Sequence, residues 1–157
     1  VSTTVSQSSS GTITQAATGA ISVGNSGTTF LQAGGTAPAS ADDIDVCDYT
    51  SAIFYILNVA NVSGFGKVYD CTEPTEVFDV SDILWQKNSD GSYTDLNHKS
   101  FAGGNAPYTS PSISANCVKG LNVHNEFEFS ISSESGVGSS GPINSSAWKC
   151  GSSTTGT

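Results

Sequence analysis

Residues 1–23 read VSTTVSQSSSGTITQAATGAISV, and the alternation in this stretch decides the fold class. Its aliphatic residues fall on odd positions, at Val1, Val5, Ile13, Ala17, Ile21 and Val23, while even positions from Ser2 to Ser22 carry only Ser, Thr or Ala. A period of two marks extended chain with one apolar and one polar side, because successive side chains of a strand point to opposite faces. At ~3.3 Å per residue the ribbon would span roughly 75 Å, several times the usual strand. A single domain has no internal use for that length. The ribbon is therefore expected either to break near Ser8–Gly11 and Gly19, or to leave the domain and pack on something else. A break at Gln7–Gly11 makes Thr12–Val23 the inserting part, with Val1–Val5 making a smaller, separate contact.

Outward from the ribbon, Gly24–Gly27 is a turn cluster and Thr28–Ala33 a short strand carrying Phe30 and Leu31. Gly34–Ala41, built from Gly, Ala, Pro, Thr and Ser, reads as a hinge. It divides the chain into an N-terminal arm, residues 1–35, and a body, residues 36–157. In the body, Ala52–Ala60 is the most hydrophobic run and reads as a central strand, paired with Phe65–Cys71 across a Gly64/Gly66 turn region. Glu76–Ser81 and Asp82–Lys87 are expected as two short strands, and Asp90-Gly91 between Trp85 and Tyr93 as a hairpin turn. Leu96–Pro111 reads as irregular and Ser132–Ser146 as a polar loop. Leu121–Ile131 is the clearest strand: Leu121, Val123, Phe127, Phe129 and Ile131 share one side, and Asn122, His124, Glu126, Glu128 and Ser130 the other. Trp148 returns to the core near Cys150, ahead of a small polar tail. With no apolar repeat at helical spacing, the fold class is all-β, an immunoglobulin-like antiparallel β-sandwich with an extended N-terminal strand arm.

Composition narrows the function. The 157-residue chain fits one hydrophobic core and carries a net charge of −9, with five Lys and Arg in total. Five scattered cations cannot form the basic face that nucleic acid or an anionic membrane requires. The longest apolar run, Ala52–Leu57, is too short to cross a bilayer. The four cysteines, Cys47, Cys71, Cys117 and Cys150, predict two disulfides in an oxidising compartment, with three pairings open. No cysteine pair has zinc-site spacing, so neither metal nor other cofactor is expected. Acceptor sequons at Asn61 and Asn144 agree with an extracellular glycoprotein. The start on Val rather than Met reads as a processed form.

Candidate chemistry is sparse. Asp42, Asp43, Asp45 and Asp48 cluster without the spacing of a calcium loop and read as a solvated acidic strand edge. Glu126 and Glu128 stand side by side at roughly 7 Å on one strand face, whereas glycosidase carboxylates oppose each other across the scissile bond. His98 and His124 lack partners in sequence, and no nucleophile elbow or phosphate loop is present. No enzyme is expected. Trp85, Tyr93 and Tyr108 are the aromatics that could stack on a sugar.

An alternating N-terminal extension, a Gly/Pro-containing hinge and a disulfide-bearing sandwich together resemble the donor-strand-exchanging pilus subunits. The chain departs from the chaperone–usher members in its four cysteines and polar C-terminal tail. The resemblance implies a structural subunit of an extracellular filament, in which Val1, Val5, Ile13, Ala17, Ile21 and Val23 of one copy complete the sheet of the next. The partners expected are then other copies of the same chain, with glycans on the surface. The alternative is a secreted carbohydrate- or surface-binding adhesion module that keeps its arm to itself.

Overall fold

The computed structural model describes residues 2–24, 29–33 and 44–156. Val1, the Gly34–Ala41 hinge, Asp42 and Asp43 lie outside the described residues. Among the described residues there are thirteen strands and no helix, hence no helix long and apolar enough to cross a membrane. In chain order they are β1 (Ser2–Gln7), β2 (Thr12–Val23), β3 (Thr29–Ala33), β4 (Asp45–Ile56), β5 (Asn61–Tyr69), β6 (Glu76–Lys87) and β7 (Tyr93–Asn105). The short β8 (Tyr108–Thr109) and β9 (Ile113–Asn116) follow, then β10 (Asn122–Ser133), β11 (Gly136–Ser139), β12 (Ile143–Asn144) and β13 (Trp148–Lys149). They form two antiparallel sheets packed as a sandwich. One runs β1-β2-β4-β5-β8, with β3 beside β2 and β9 beside β5; the other runs β11-β10-β6-β7, with β12 and β13 also on β10.

The opening ribbon breaks where its apolar alternation lapses. Gly11 adopts φ +85°, and Ser8 N–H donates to Thr12 O at 2.9 Å, so the chain reverses there. β1 therefore folds back along β2, with Gln7 opposite Ile13 and Ser2 opposite Thr18, instead of making a separate contact. All six β1 residues are exposed, Val5 among them. β2 has the opposite fate. It pairs with β4 over its whole length, from Thr12 opposite Ile56 to Val23 opposite Asp45, and β1 and β3 line its other edge. Within one chain the expected arm is thus docked in the sheet, not extended from it.

Three further expectations are corrected. Glu76–Lys87 is one twelve-residue strand, not two, with Asp79 at φ +49° where β10 steps its register from Glu128 to Ser130. Tyr93–Asn105, expected as irregular from Leu96 onward, is a thirteen-residue strand whose side chains are mostly exposed, because β7 lies at the sheet edge and pairs only with β6. Ser132–Ser146 contains β11 and β12, both paired with β10; each carries a single aliphatic residue, Val137 and Ile143, too few to show a two-residue period. The Asp90-Gly91 turn falls where expected, Gly91 at φ +88° joining β6 to β7.

The core has two clusters. One gathers Ile21, Val23, Tyr49, Val68, Val77, Phe127, Phe129 and Ile131 around the Cys47–Cys71 disulfide. The other gathers Ile13, Ile53, Val62, Leu84, Val123 and Trp148 beside Cys117–Cys150. Between them lies a buried polar seam. Asn125 Nδ2 donates to Asp82 Oδ1 at 2.9 Å, and Ser110 Oγ donates to Asp82 Oδ2 at 2.6 Å. Glycine is required beside this seam, since a Cβ on Gly66 would sit 2.0 Å from the Phe127 ring.

Candidate functional site

The residues expected to act in assembly come together as the inner face of β2. Ile13, Ala17, Ile21 and Val23 are each at most 1% exposed. Ile13 enters one core cluster, and Ile21 and Val23 enter the other. Odd positions point inward for the reason read from the sequence, the two-residue period of extended chain. Val5 is excluded from this set, being 42% exposed on β1. Removing β2 from its slot would expose both clusters and leave the β4 edge from Asp45 to Ile56 without its ladder partner.

The odd face of β2 also carries Gln15, a polar residue that is completely buried. Its amide is fully matched. Nε2 donates to Ser146 Oγ at 2.9 Å and to Ala147 O at 3.3 Å. Oε1 accepts from the Tyr55 hydroxyl and from Gly156 N–H at 3.0 Å. Tyr55 stacks on Trp148 at 3.7 Å between ring centroids, and Trp148 Nε1 donates to Thr154 O at 3.0 Å. Sequence reasoning missed this cluster because Gln15 and the tail are polar. Only the odd position of Gln15 pointed to it.

A second feature lies on the outer face of the other sheet. Trp85, Tyr93, His124, Glu126 and Asn144 line an open cleft of about 300 Å³. Tyr93 meets Trp85 edge-on at 6.3 Å and His124 at 6.0 Å, since the β6–β7 hairpin and β10 place the three rings on one face. Burial holds the His124 pKa below its ordinary value, while a hydrogen bond with Asn144 acts the other way. Asn144 is exposed and lies opposite Glu126. Tyr108 lies elsewhere, packed beside the core cluster of the first disulfide. Glu128 shares the outer face of β10 with Glu126 but is not among the residues lining the cleft. His98 is exposed and bonded through Nδ1 to Asp95 at 2.8 Å.

The other sequence candidates resolve locally. Asn61 is half-buried on β5, its Nδ2 donating to Asn116 Oδ1 at 3.0 Å, which makes Asn144 the more open sequon. Asp45 is fully buried, not solvated, and accepts from Thr75 Oγ1 at 2.5 Å. Asp48 is held above the usual carboxylate range by burial and by the charge of Asp70. Asp45, Cys47 and Cys71 bring possible ligand atoms within 4.8 Å of one another. Both sulfurs are committed to the disulfide, so that trio has no thiolate to offer a metal. No family model, curated protein or solved structure matches the chain.

Proposed function

We infer that this protein is a structural subunit of an extracellular filament, in which Thr12–Val23 of one copy fills the β2 slot of the next. One observation supports the reading: β2 adds side chains to both core clusters and fills an entire ladder edge of β4, while its covalent connection to β4 runs through the segment from Gly24 to Ile44. A strand with these contacts makes the same contacts when it comes from a neighbour, which is the general basis of strand exchange. Residues 34–44, fully extended, reach ~36–40 Å, enough to cross to an adjoining copy. Head-to-tail exchange of this kind is open and propagates. Two disulfides suit the oxidising compartment that such a fibre occupies. The immunoglobulin-like description applies at the level of two facing antiparallel sheets. No cofactor and no catalytic step enter this role.

The test is the assembly state of the native chain, by negative stain and size exclusion, against Ile13→Asp/Ile21→Asp. Filaments from the first and none from the second are expected, since a carboxylate cannot be seated in either dry slot. A native chain that stays monomeric at all concentrations refutes the proposal. The Trp85–Tyr93–His124 cleft favours a second reading, a carbohydrate-binding adhesion module. Glycan binding by the monomer, lost in Tyr93→Ala, would select it.

A further inference from the structure

Alternation alone leaves the seating of β2 ambiguous. A one-residue slip turns the apolar face outward and is forbidden, but a two-residue slip keeps every odd residue inside. The odd face reads Ile13, Gln15, Ala17, Gly19, Ile21, Val23, so a slipped strand would still present aliphatic and small residues to the core. Something other than hydrophobicity must distinguish the two seatings.

We propose that Gln15 is the residue that fixes the register of β2 in its slot, and that the C-terminal segment Ser152–Gly156 is the clasp that reads it. The slot at position 15 is lined by the Tyr55 hydroxyl, Ser146 Oγ, Ala147 O and Gly156 N–H. Slipping by two residues puts Ile13 or Ala17 there, which takes the amide donor from Ser146 Oγ and Ala147 O and the acceptor from the Tyr55 hydroxyl, and leaves Gly156 N–H only its bond to Tyr55. It also carries the Gln15 amide away from the four groups that match it, into the apolar cluster at the Ile13 position or opposite Ser51 at the Ala17 position. A single buried polar residue that costs little in the right register and much in the wrong one is an established means of specifying strand or helix alignment.

The clasp has its own steric signature. Gly156 N–H donates both to Gln15 Oε1 at 3.0 Å and to the Tyr55 hydroxyl at 3.1 Å. A Cβ at position 156 would lie 2.3 Å from Ala147 O and 2.6 Å from Gln15 Oε1, so the tail can approach only as glycine. The tail is tied down on its other side by Trp148 Nε1, bonded to Thr154 O, and by Asn58 N–H, bonded to Ser152 O at 2.9 Å. In the filament the key on β2 belongs to one copy and the clasp to its neighbour, and this part of the inference rests on the filament reading.

Cysteine pairs on the outer face report register directly. Thr14 is the β-ladder partner of Phe54, whereas Thr12 and Ala16 meet Phe54 only after a slip of two. Thr14→Cys/Phe54→Cys is expected to cross-link in the otherwise native chain, and Thr12→Cys/Phe54→Cys and Ala16→Cys/Phe54→Cys to do so poorly. Adding Gln15→Leu, and separately Gly156→Ala, should lower the ratio of native to slipped product by about tenfold or more, given the cost of buried unpaired polar groups. An unchanged ratio in both variants overturns the proposal. So does a Gln15→Leu chain that fails to fold while Gly156→Ala leaves the ratio unchanged. Non-reducing gels separate this outcome from the fate of the filament reading. Cross-linked ladders place the strand in a neighbour, whereas product confined to monomers refutes exchange and leaves the register key standing within one chain.

Discussion

Truncating the two isoleucines of β2 measures how much of the domain depends on this strand. Ile13 and Ile21 are 1% and 0% exposed and belong to different core clusters. Eight residues of extended chain separate them by ~26 Å, too far for shared partners, so their effects should add. A buried Ile→Ala change costs about 2–5 kcal/mol through lost transfer energy and the cavity left behind. The double variant should therefore lose about 4–10 kcal/mol, comparable with the whole stability of a typical domain, about 5–15 kcal/mol. The assay is urea unfolding followed by tryptophan fluorescence, for which buried Trp148 beside Ile13 is a native reporter. With a slope of about 1–3 kcal/mol/M, each single variant should move the midpoint down by ~0.7–5 M. Val5→Ala on exposed β1 is the control and should stay within about 0.5 kcal/mol of the parent. Ile13→Ala and Ile21→Ala midpoints indistinguishable from that control would show that β2 does not occupy the core, and the assembly proposal would fall with it.

Other expectations rest on single features. Burial raises the Asp82 pKa above 3.8, against the bonds from Ser110 and Asn125 that lower it. A carboxyl with a raised folded pKa binds its proton more readily in the folded state. Its contribution is therefore destabilising above the folded pKa and is relieved as pH falls toward 3.8. Asp82→Asn, which keeps an acceptor for Asn125 but must reverse the bond to Ser110, should flatten that part of the stability–pH profile, and a profile superimposing on the parent's would contradict this. His124 has the opposite sign. With its folded pKa below 6.5, stability is fully present above 6.5 and declines as pH falls through the lowered value, and His124→Gln should remove that decline in acid titrations. The Cys47–Cys71 and Cys117–Cys150 links, at separations of 24 and 33 residues, should each contribute about 3.5 kcal/mol by loop closure. Removing each pair in turn by Cys→Ala should accordingly lower the urea midpoint, and removing both should lower it further. Gly66→Ala forces a methyl into the Phe127 ring and should cost at least about 1–3 kcal/mol, read by the same unfolding assay.

Much of the fold was legible wherever apolar residues alternate. Leu121–Ile131 was expected as a half-buried strand, and β10 shows that alternation, with Val123, Phe127, Phe129 and Ile131 buried and the residues between them on the outer face. Asn125 shares the inward parity and is fully buried, but its polarity hid it. Its place depends on Asp82, which lies on another strand. β7 and β11 escaped notice for a related reason. Edge strands and strands of small residues are held by backbone pairing, which leaves no two-residue apolar period in the sequence. Trp85 and Tyr93 were visible as a hairpin pair, while the cleft they make with His124 required β10 to lie beside β6.

For residues 1–23 the division is sharp. The sequence by itself determined that Thr12–Val23 is extended, which of its faces is apolar, and that the ribbon breaks near Gly11, because these follow from the two-residue period and from the conformational freedom of glycine; the second break expected at Gly19 does not occur, since β2 runs through it. Only the tertiary structure decided that β1 turns back while β2 enters the sheet, that the four cysteines pair as 47–71 and 117–150, and that Gln15 meets the C-terminal tail. Those outcomes depend on which other segments complete a core or satisfy a buried amide, and local periodicity carries no record of partners outside its own stretch.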